Sequence, residues 1–229
     1  MTALLRHAAC AAILAASSAC AMTPSAPGNA PSTETDVSQA APADAFFAGL
    51  SALCGKAYAG RVVVDTPTPA KDPFAGKPLL MHVRDCSADV IRIPFHVGDD
   101  RSRTWVVTLV EAGRTTSALR LKHDHRHRDG SEDAVTQYGG DTVDAGSAQR
   151  QAFPADAASK AMFLKEGLAA SVDNTWAIDL VPGRSFIYEL SRPNGRLFRV
   201  EFDLTRTVAA PPPPWGAGKQ FPPPAAAEG

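Results

Sequence analysis

Residues 176–204 read WAIDLVPGRSFIYELSRPNGRLFRVEFDL, and their punctuation decides the fold. Trp176, Ile178 and Leu180 alternate with more polar neighbours, and Pro182-Gly183 turns the chain. Phe186, Tyr188 and Leu190 alternate again, Asn194-Gly195 makes a second turn, and Phe198, Val200, Phe202 and Leu204 complete a third run. A period of two is the signature of a strand, because successive side chains leave it on opposite faces, and Pro-Gly and Asn-Gly suit tight turns. The stretch therefore predicts a three-stranded antiparallel meander. Arg199, Glu201 and Asp203 fall on the face opposite the apolar row, as expected where one side of a sheet meets water.

The same period runs through the chain upstream, with strands expected near 61–65, 79–85, 90–95, 104–111, 115–128 and 131–138. Two segments break it. Residues 42–55 have helical spacing, with Asp44 as the cap, Phe46, Phe47, Leu50, Leu53 and Cys54 on one side, and Gly55 as the stop; residues 156–166 are started by Asp156 and stopped by Gly167. About nine short strands joined mainly by turns predict an all-β fold. It is a single antiparallel β-barrel or a sandwich, with a short N-terminal helix and one inserted helix. Barrel closure would also remove the exposed edges of such a meander.

At 229 residues, 45% of them apolar, the chain can bury one ordinary core. Its 23 basic and 24 acidic residues leave a net charge of -1, which gives nucleic acid phosphates nothing to bind, so no nucleic acid partner is expected. Residues 1–20 have a basic start, an apolar run from Ala8 to Ala16 and small residues after it, the order of a secretory signal. Ser17-Ser18-Ala19-Cys20 is similar to the bacterial lipobox, with Cys20 as the lipidated residue; Ser17 stands where leucine is usual, and ordinary cleavage after Ala21 is the alternative. Residues 21–43, rich in Pro, Ser, Thr and Ala, would then be a tether, residues 44–207 the barrel, and residues 208–229 a Pro-rich disordered tail whose partner, if any, the sequence leaves open. Export removes Cys10, lipidation uses Cys20, and Cys54 and Cys86 remain to form a disulfide in an oxidising compartment. The expected location is the periplasm, anchored to the outer membrane through the N-terminal lipid.

Signatures of the common enzyme classes are missing: the chain contains no Gly-x-Ser-x-Gly, His-Glu-x-x-His, Gly-x-Gly-x-x-Gly or phosphate loop. The chemistry concentrates in residues 119–133, LRLKHDHRHRDGSED. Read as a strand, this places Leu119, Leu121, His123, His125 and His127 on one face and Arg120, Lys122, Asp124, Arg126 and Arg128 on the other. The histidines continue an inward apolar row, so His123, His125 and His127 are candidate ligand-binding residues. A two-residue turn at Asp129-Gly130 would set His127 beside Glu132 and Arg126 beside Asp133. Together with His125 this makes two imidazoles and a carboxylate, a set that divalent iron, manganese or zinc accepts. The competing reading is a polar rim beyond the barrel, solvated or hydrogen-bonded to loops. His82 and His96 read as structural histidines, and Asp99, Asp100, Arg101 and Arg103 as a salt-bridged turn.

Three resemblances bear on this. His125-x-His127-x4-Glu132-x6-Gly139 is similar to most of the first cupin motif, although Leu119 stands where that motif opens with Gly and no histidine follows His127 to form a second motif. Leu53-Cys-Gly55-Lys-Ala-Tyr58-Ala-Gly60 resembles the Gly-x-Trp opening of calycin barrels, the group of lipocalins and haem-binding nitrobindins. The chain as a whole looks like a family of uncharacterised Gram-negative secreted proteins and lipoproteins. The likeness runs through residues 82–86 (HVRDC), 93–96 (IPFH), the histidine stretch, 138–141 (YGGD) and 200–203 (VEFD). It implies no activity. Two functional expectations follow: a lipid-anchored periplasmic barrel that binds a small or apolar ligand or serves the envelope structurally, and a metal-dependent enzyme built on His125, His127 and Glu132.

Overall fold

The computed structural model describes residues 41–111 and 117–218. The signal and tether readings, Cys20 and the last eleven residues of the tail lie outside the described residues. Eleven strands form one antiparallel sheet: β1 (Ala57–Thr66), β2 (Leu79–His82), β3 (Asp85–Cys86), β4 (Val90–Val97), β5 (Asp100–Glu111), β6 (Ser117–His125), β7 (Tyr138–Asp141), β8 (Arg150–Pro154), β9 (Thr175–Val181), β10 (Ser185–Ser191) and β11 (Leu197–Asp203). They pair in the order β7-β6-β5-β4-β2-β1-β11-β10-β9-β8, with β3 added to β4. The meander is in register as the turns require, Tyr188 facing Ile178 on one side and Val200 on the other.

This sheet curls until its ends, β7 and β8, meet, and two glycines make the junction. The Gly139 carbonyl accepts from the Asp156 amide at 2.8 Å and from Ser159 Oγ at 3.0 Å. A Cβ on Gly139 would lie 1.8 Å from the Leu121 carbonyl oxygen, and one on Gly140 1.8 Å from that of Pro154. Only residues without side chains let the β7 backbone pass between β6 and the end of β8. A third close approach occurs at Gly60, over which the Phe202 ring from the paired strand lies, its Cδ1 2.5 Å from where a Cβ would stand. The result is a nearly closed barrel rather than a sandwich.

Helix α1 (Pro42–Ser51) packs against β5, β6, β8 and β9 with Phe46 and Leu50 fully buried. It starts with Pro42 in its first turn rather than at Asp44, which makes no cap hydrogen bond, and it ends four residues before Gly55 because 52–55 form turns. Gly55, at φ +79, donates to the Val83 carbonyl at 2.7 Å. The disulfide joins Cys54 to Cys86 with their Cα atoms 6.4 Å apart, stapling the end of this turn to β3. Helix α2 (Ala157–Lys165) is capped as expected: Asp156 accepts from the Ser159 amide at 2.7 Å.

Three expectations need correction. Residues 131–138 are not a strand: one isolated bridge, Arg126 to Glu132, precedes a loop, and pairing resumes only at Tyr138. Strand β8 lies outside the strands that periodicity predicts, since its inward face holds only Gln151 and Phe153 and it ends on a proline. The tail docks in part between 208 and 218, with Pro214 buried and Ala209, Ala210, Pro212, Pro213 and Gly218 exposed. Val208 donates to the Ala57 carbonyl at 2.9 Å, Arg101 donates to the Pro213 carbonyl at 3.0 Å, and the Trp215 amide donates to the Arg101 carbonyl at 3.0 Å. The Arg128 guanidinium sits 5.7 Å from the Trp215 ring centre, and Gly216 lies against the stem of Arg126. Apolar tail residues thus shield the outer face of the β5–β6 end, which explains why the outward Arg126 is only 7% exposed.

Candidate functional site

Registers place the barrel's two ends. Leu180 reaches α1, its Cδ2 3.0 Å from where a Gly49 Cβ would stand, and Leu180 faces Phe186, which faces Phe202. At the other end, Trp105 faces His123 and Arg103 faces His125 across β5 and β6, while Leu190 faces both Trp176 and Phe198. Inward residues of this second end do not fill it. They leave a cavity of about 180 Å3 lined by Phe95, Trp105, His123, His125, Tyr138, Tyr188, Leu190 and Phe198, with Phe74, Arg103, Thr104 and Arg196 completing the wall.

The rings form stacks that fix one another. Phe95 stacks on Trp105 at 4.8 Å between centroids, Trp105 on Tyr188 at 4.4 Å, and His123 on Tyr138 at 4.6 Å. Phe74, from the loop between β1 and β2, stacks on Phe198 at 4.9 Å. Such offset stacks hold a flat-sided wall at little conformational cost.

Polar atoms within the stacks are satisfied by each other. His123 Nδ1 is 3.1 Å from the Tyr138 carbonyl, which can only accept, so Nδ1 carries the proton. Nε2 of His123 then accepts from the Tyr188 hydroxyl at 2.7 Å. The Tyr138 hydroxyl meets His125 Nε2 at 3.0 Å. Burial lowers the pKa of His123 to about 3, assisted by the nearby His125, and that of His125 to about 4, assisted by Arg103. Burial also raises the Tyr138 and Tyr188 phenols above their ordinary range, although Arg103 and, for Tyr188, a hydrogen bond with Trp105 work against it. At neutral pH all four side chains are uncharged. The formal charges on the wall belong to Arg103, paired with Asp100 at 2.5 Å, and Arg196, paired with Asp65.

The structure brings His123 and His125 together on this wall and leaves His127 and Glu132 elsewhere. Gly130 donates to the His127 carbonyl and His127 to the Ser131 carbonyl, both at 2.9 Å, so the loop contains three residues, Arg128, Asp129 and Gly130, with Gly130 at φ +82. A three-residue loop closed by a left-handed glycine is the common alternative to the two-residue turn expected at Asp129-Gly130. The one-residue difference pairs Glu132 with Arg126, not His127, and flips its face. Glu132 Oε1 accordingly accepts from Arg126 Nη2 at 3.0 Å, and Arg126 also binds Asp124, not Asp133. His127, with a side chain 57% exposed, points to Asp133 at 3.9 Å. His125, His127 and Glu132 therefore do not converge on one point. Among the described residues no group of three or more His, Cys, Asp or Glu side chains could hold a metal ion.

His96 is buried and its Nε2 has no hydrogen-bond partner among the described residues; burial lowers its pKa to about 4, with Arg101 and His82 adding to the effect. An interior of mixed Phe, Trp, Tyr and His is what the sequence suggests for a ligand-binding barrel; Phe74 and the two arginines of the wall, Arg103 and Arg196, are not placed there by it. Tyr188 and Leu190 were legible as an inward row, and Arg103 could have been placed opposite His125 only from the β5–β6 register. Phe74 and Arg196 come from connections between strands, where periodicity carries no signal.

Fold and site together define the class: an antiparallel β-barrel with an aromatic, partly open cavity at the end away from its helical plug. Neither a protein-family model, nor a curated protein, nor a solved structure matches the chain, so its function is argued from these residues.

Proposed function

We propose that this is an exported binding protein whose barrel holds a small, largely apolar ligand in the cavity between Phe95, Trp105, Tyr188 and Phe198. The observation that carries this is the wall itself: an unfilled space of about 180 Å3, walled by stacked rings whose polar atoms already satisfy one another. A cavity of roughly 150 Å3 takes one benzene ring, so the space suits a monocyclic or short aliphatic body. Catalysis fits less well. Proton transfer is most effective from groups that titrate near the working pH, whereas His123 and His125 titrate at about 3 and about 4 and the two phenols are displaced upward. The metal-dependent alternative loses support with the divergence of His127 and Glu132 from His125.

Export is supported by the order of residues 1–21 and by the disulfide, a cross-link that persists in oxidising compartments. We place the protein in the periplasm, lipid-anchored at Cys20. Cys20→Ala should abolish palmitate labelling and release the protein from the membrane fraction; unchanged labelling would refute the anchor.

Binding is tested by titrating the protein with toluene and following methyl and indole resonances. Shifts should be confined to Trp105, Leu190 and their neighbours and should disappear in Leu190→Phe, which fills the space. Shifts scattered over the surface, or unaffected by that substitution, would refute the proposal.

A further inference from the structure

We infer that the ligand carries a carboxylate, and that Arg103 and Arg196 receive it while its apolar body lies among the rings; this rests on the cavity being a binding site at all. The evidence is a charge asymmetry in the wall. Among the described residues none that lines the cavity is an Asp or Glu, and its imidazoles and phenols are neutral, so the formal charges on the described lining are two guanidinium groups. A cationic ligand would find no acidic side chain on the described lining, because Asp100 and Asp65 are held by the two arginines.

Both arginines are held in place, and both are directed at the cavity. Arg103 lies across from His125 in the β5–β6 register, and its Nη1 is fixed by Asp100 at 2.5 Å. The Arg103 side chain forms part of the cavity wall and is 27% exposed. Arg196 lies with Cζ 5.9 Å from the centre of the Phe198 ring, a ring of the wall, and is anchored through Nη1 to Asp65. In each anchor the Asp takes Nη1, and a guanidinium has five N–H donors in a planar fork. The remaining donors suit a planar anion, which an arginine fork receives in a bidentate fashion.

Phosphate and sulfate esters would share the charge but not the shape, because a tetrahedral head occupies more of a space that must also hold the apolar body. A flat carboxylate continuous with a ring or chain uses the same volume with less. A second role for the guanidiniums would be to stack on the ligand's ring, as Arg196 does on Phe198, but that would give no preference between neutral and anionic ligands.

The test compares phenylacetate with phenylacetamide, nearly the same shape with and without the negative charge, binding to the full chain by calorimetry or resonance shifts. Phenylacetate should bind at least about tenfold tighter than the amide. Arg103→Gln and Arg196→Gln should each bring the ratio of phenylacetate to phenylacetamide affinity down towards one, and the toluene shifts at Trp105 and Leu190 report separately whether the cavity is intact. Asp100→Asn, which frees Arg103 from its own counter-charge, should tighten phenylacetate and not the amide. It serves as the second reading if either glutamine variant fails to fold. Equal binding of the two probes, or a preference insensitive to both arginines, would overturn the carboxylate inference and leave the apolar-ligand proposal standing. No binding of either probe, in a protein that also ignores toluene, would overturn both.

Discussion

Tyr188→Phe isolates one atom of the network and its cost can be worked from the geometry. The Tyr188 hydroxyl donates to His123 Nε2 at 2.7 Å, and the two residues are 8% and 3% exposed, so water does not replace it. Phenylalanine keeps the ring stacked on Trp105 at 4.4 Å, and the lost area is negligible. What remains is His123 Nε2 as a buried acceptor without a donor, a loss of about 1 to 3 kcal/mol, to which the lost hydrogen bond between Trp105 and the same hydroxyl adds. His123 cannot relieve it by moving its proton, because Nδ1 would then face the Tyr138 carbonyl without a hydrogen. Urea denaturation should show the midpoint falling with an unchanged slope. Nitrogen-15 spectra of His123 should show the Nδ1–H tautomer in both proteins. Adding His123→Phe should recover part of the loss, since removing both partners costs less than removing one. A Tyr188→Phe variant within about 0.5 kcal/mol of the parent, the range of ordinary surface changes, or a His123 protonated at Nε2, would refute the network.

Gly140→Ala should cost stability or prevent folding, because the new methyl would stand 1.8 Å from the Pro154 carbonyl oxygen where the barrel ends meet; an unchanged denaturation midpoint would show that the junction is open. Stability should fall as pH drops from about 6.5 toward 4, because unfolded histidines take up protons near 6.5 that His125 and His123 refuse until about 4 and about 3. His125→Asn should flatten that slope by about 1.4 kcal/mol per pH unit, the effect of one proton, and an identical slope would count against a neutral His125. Replacing Cys54 and Cys86 with alanine releases a cross-link between residues 32 apart and should lower stability by roughly 3 to 4 kcal/mol in the chain-entropy treatment.

Strand periodicity and turn residues made the meander legible, because Phe186, Tyr188, Phe198, Val200 and Phe202 alternate cleanly and the turns between them hold Pro-Gly and Asn-Gly. The inward direction of the odd positions in β6 was equally legible, since Leu119 and Leu121 fix the face on which His123 and His125 must lie. The far side of that hairpin was not. Asp129-Gly130 supports a two-residue or a three-residue loop, and the choice is made by hydrogen bonds around His127, not by the identity of the two residues. A single-residue change in loop length reverses every face beyond it, which is how Glu132 came to bind Arg126. β8 and the docked tail escaped for a different reason. Their ordering comes from what they touch, the β7 glycines and the outer face of β5 and β6, and neither has a repeating pattern of its own.

The most direct measurement is a crystal of the protein soaked in bromobenzene, with the bromine located by anomalous scattering. Binding in the barrel predicts one bromine peak inside the cavity, among Phe95, Trp105, Leu190 and Phe198, and its absence from crystals of Leu190→Phe. A cavity without bromine while peaks appear only on the outer surface would contradict it.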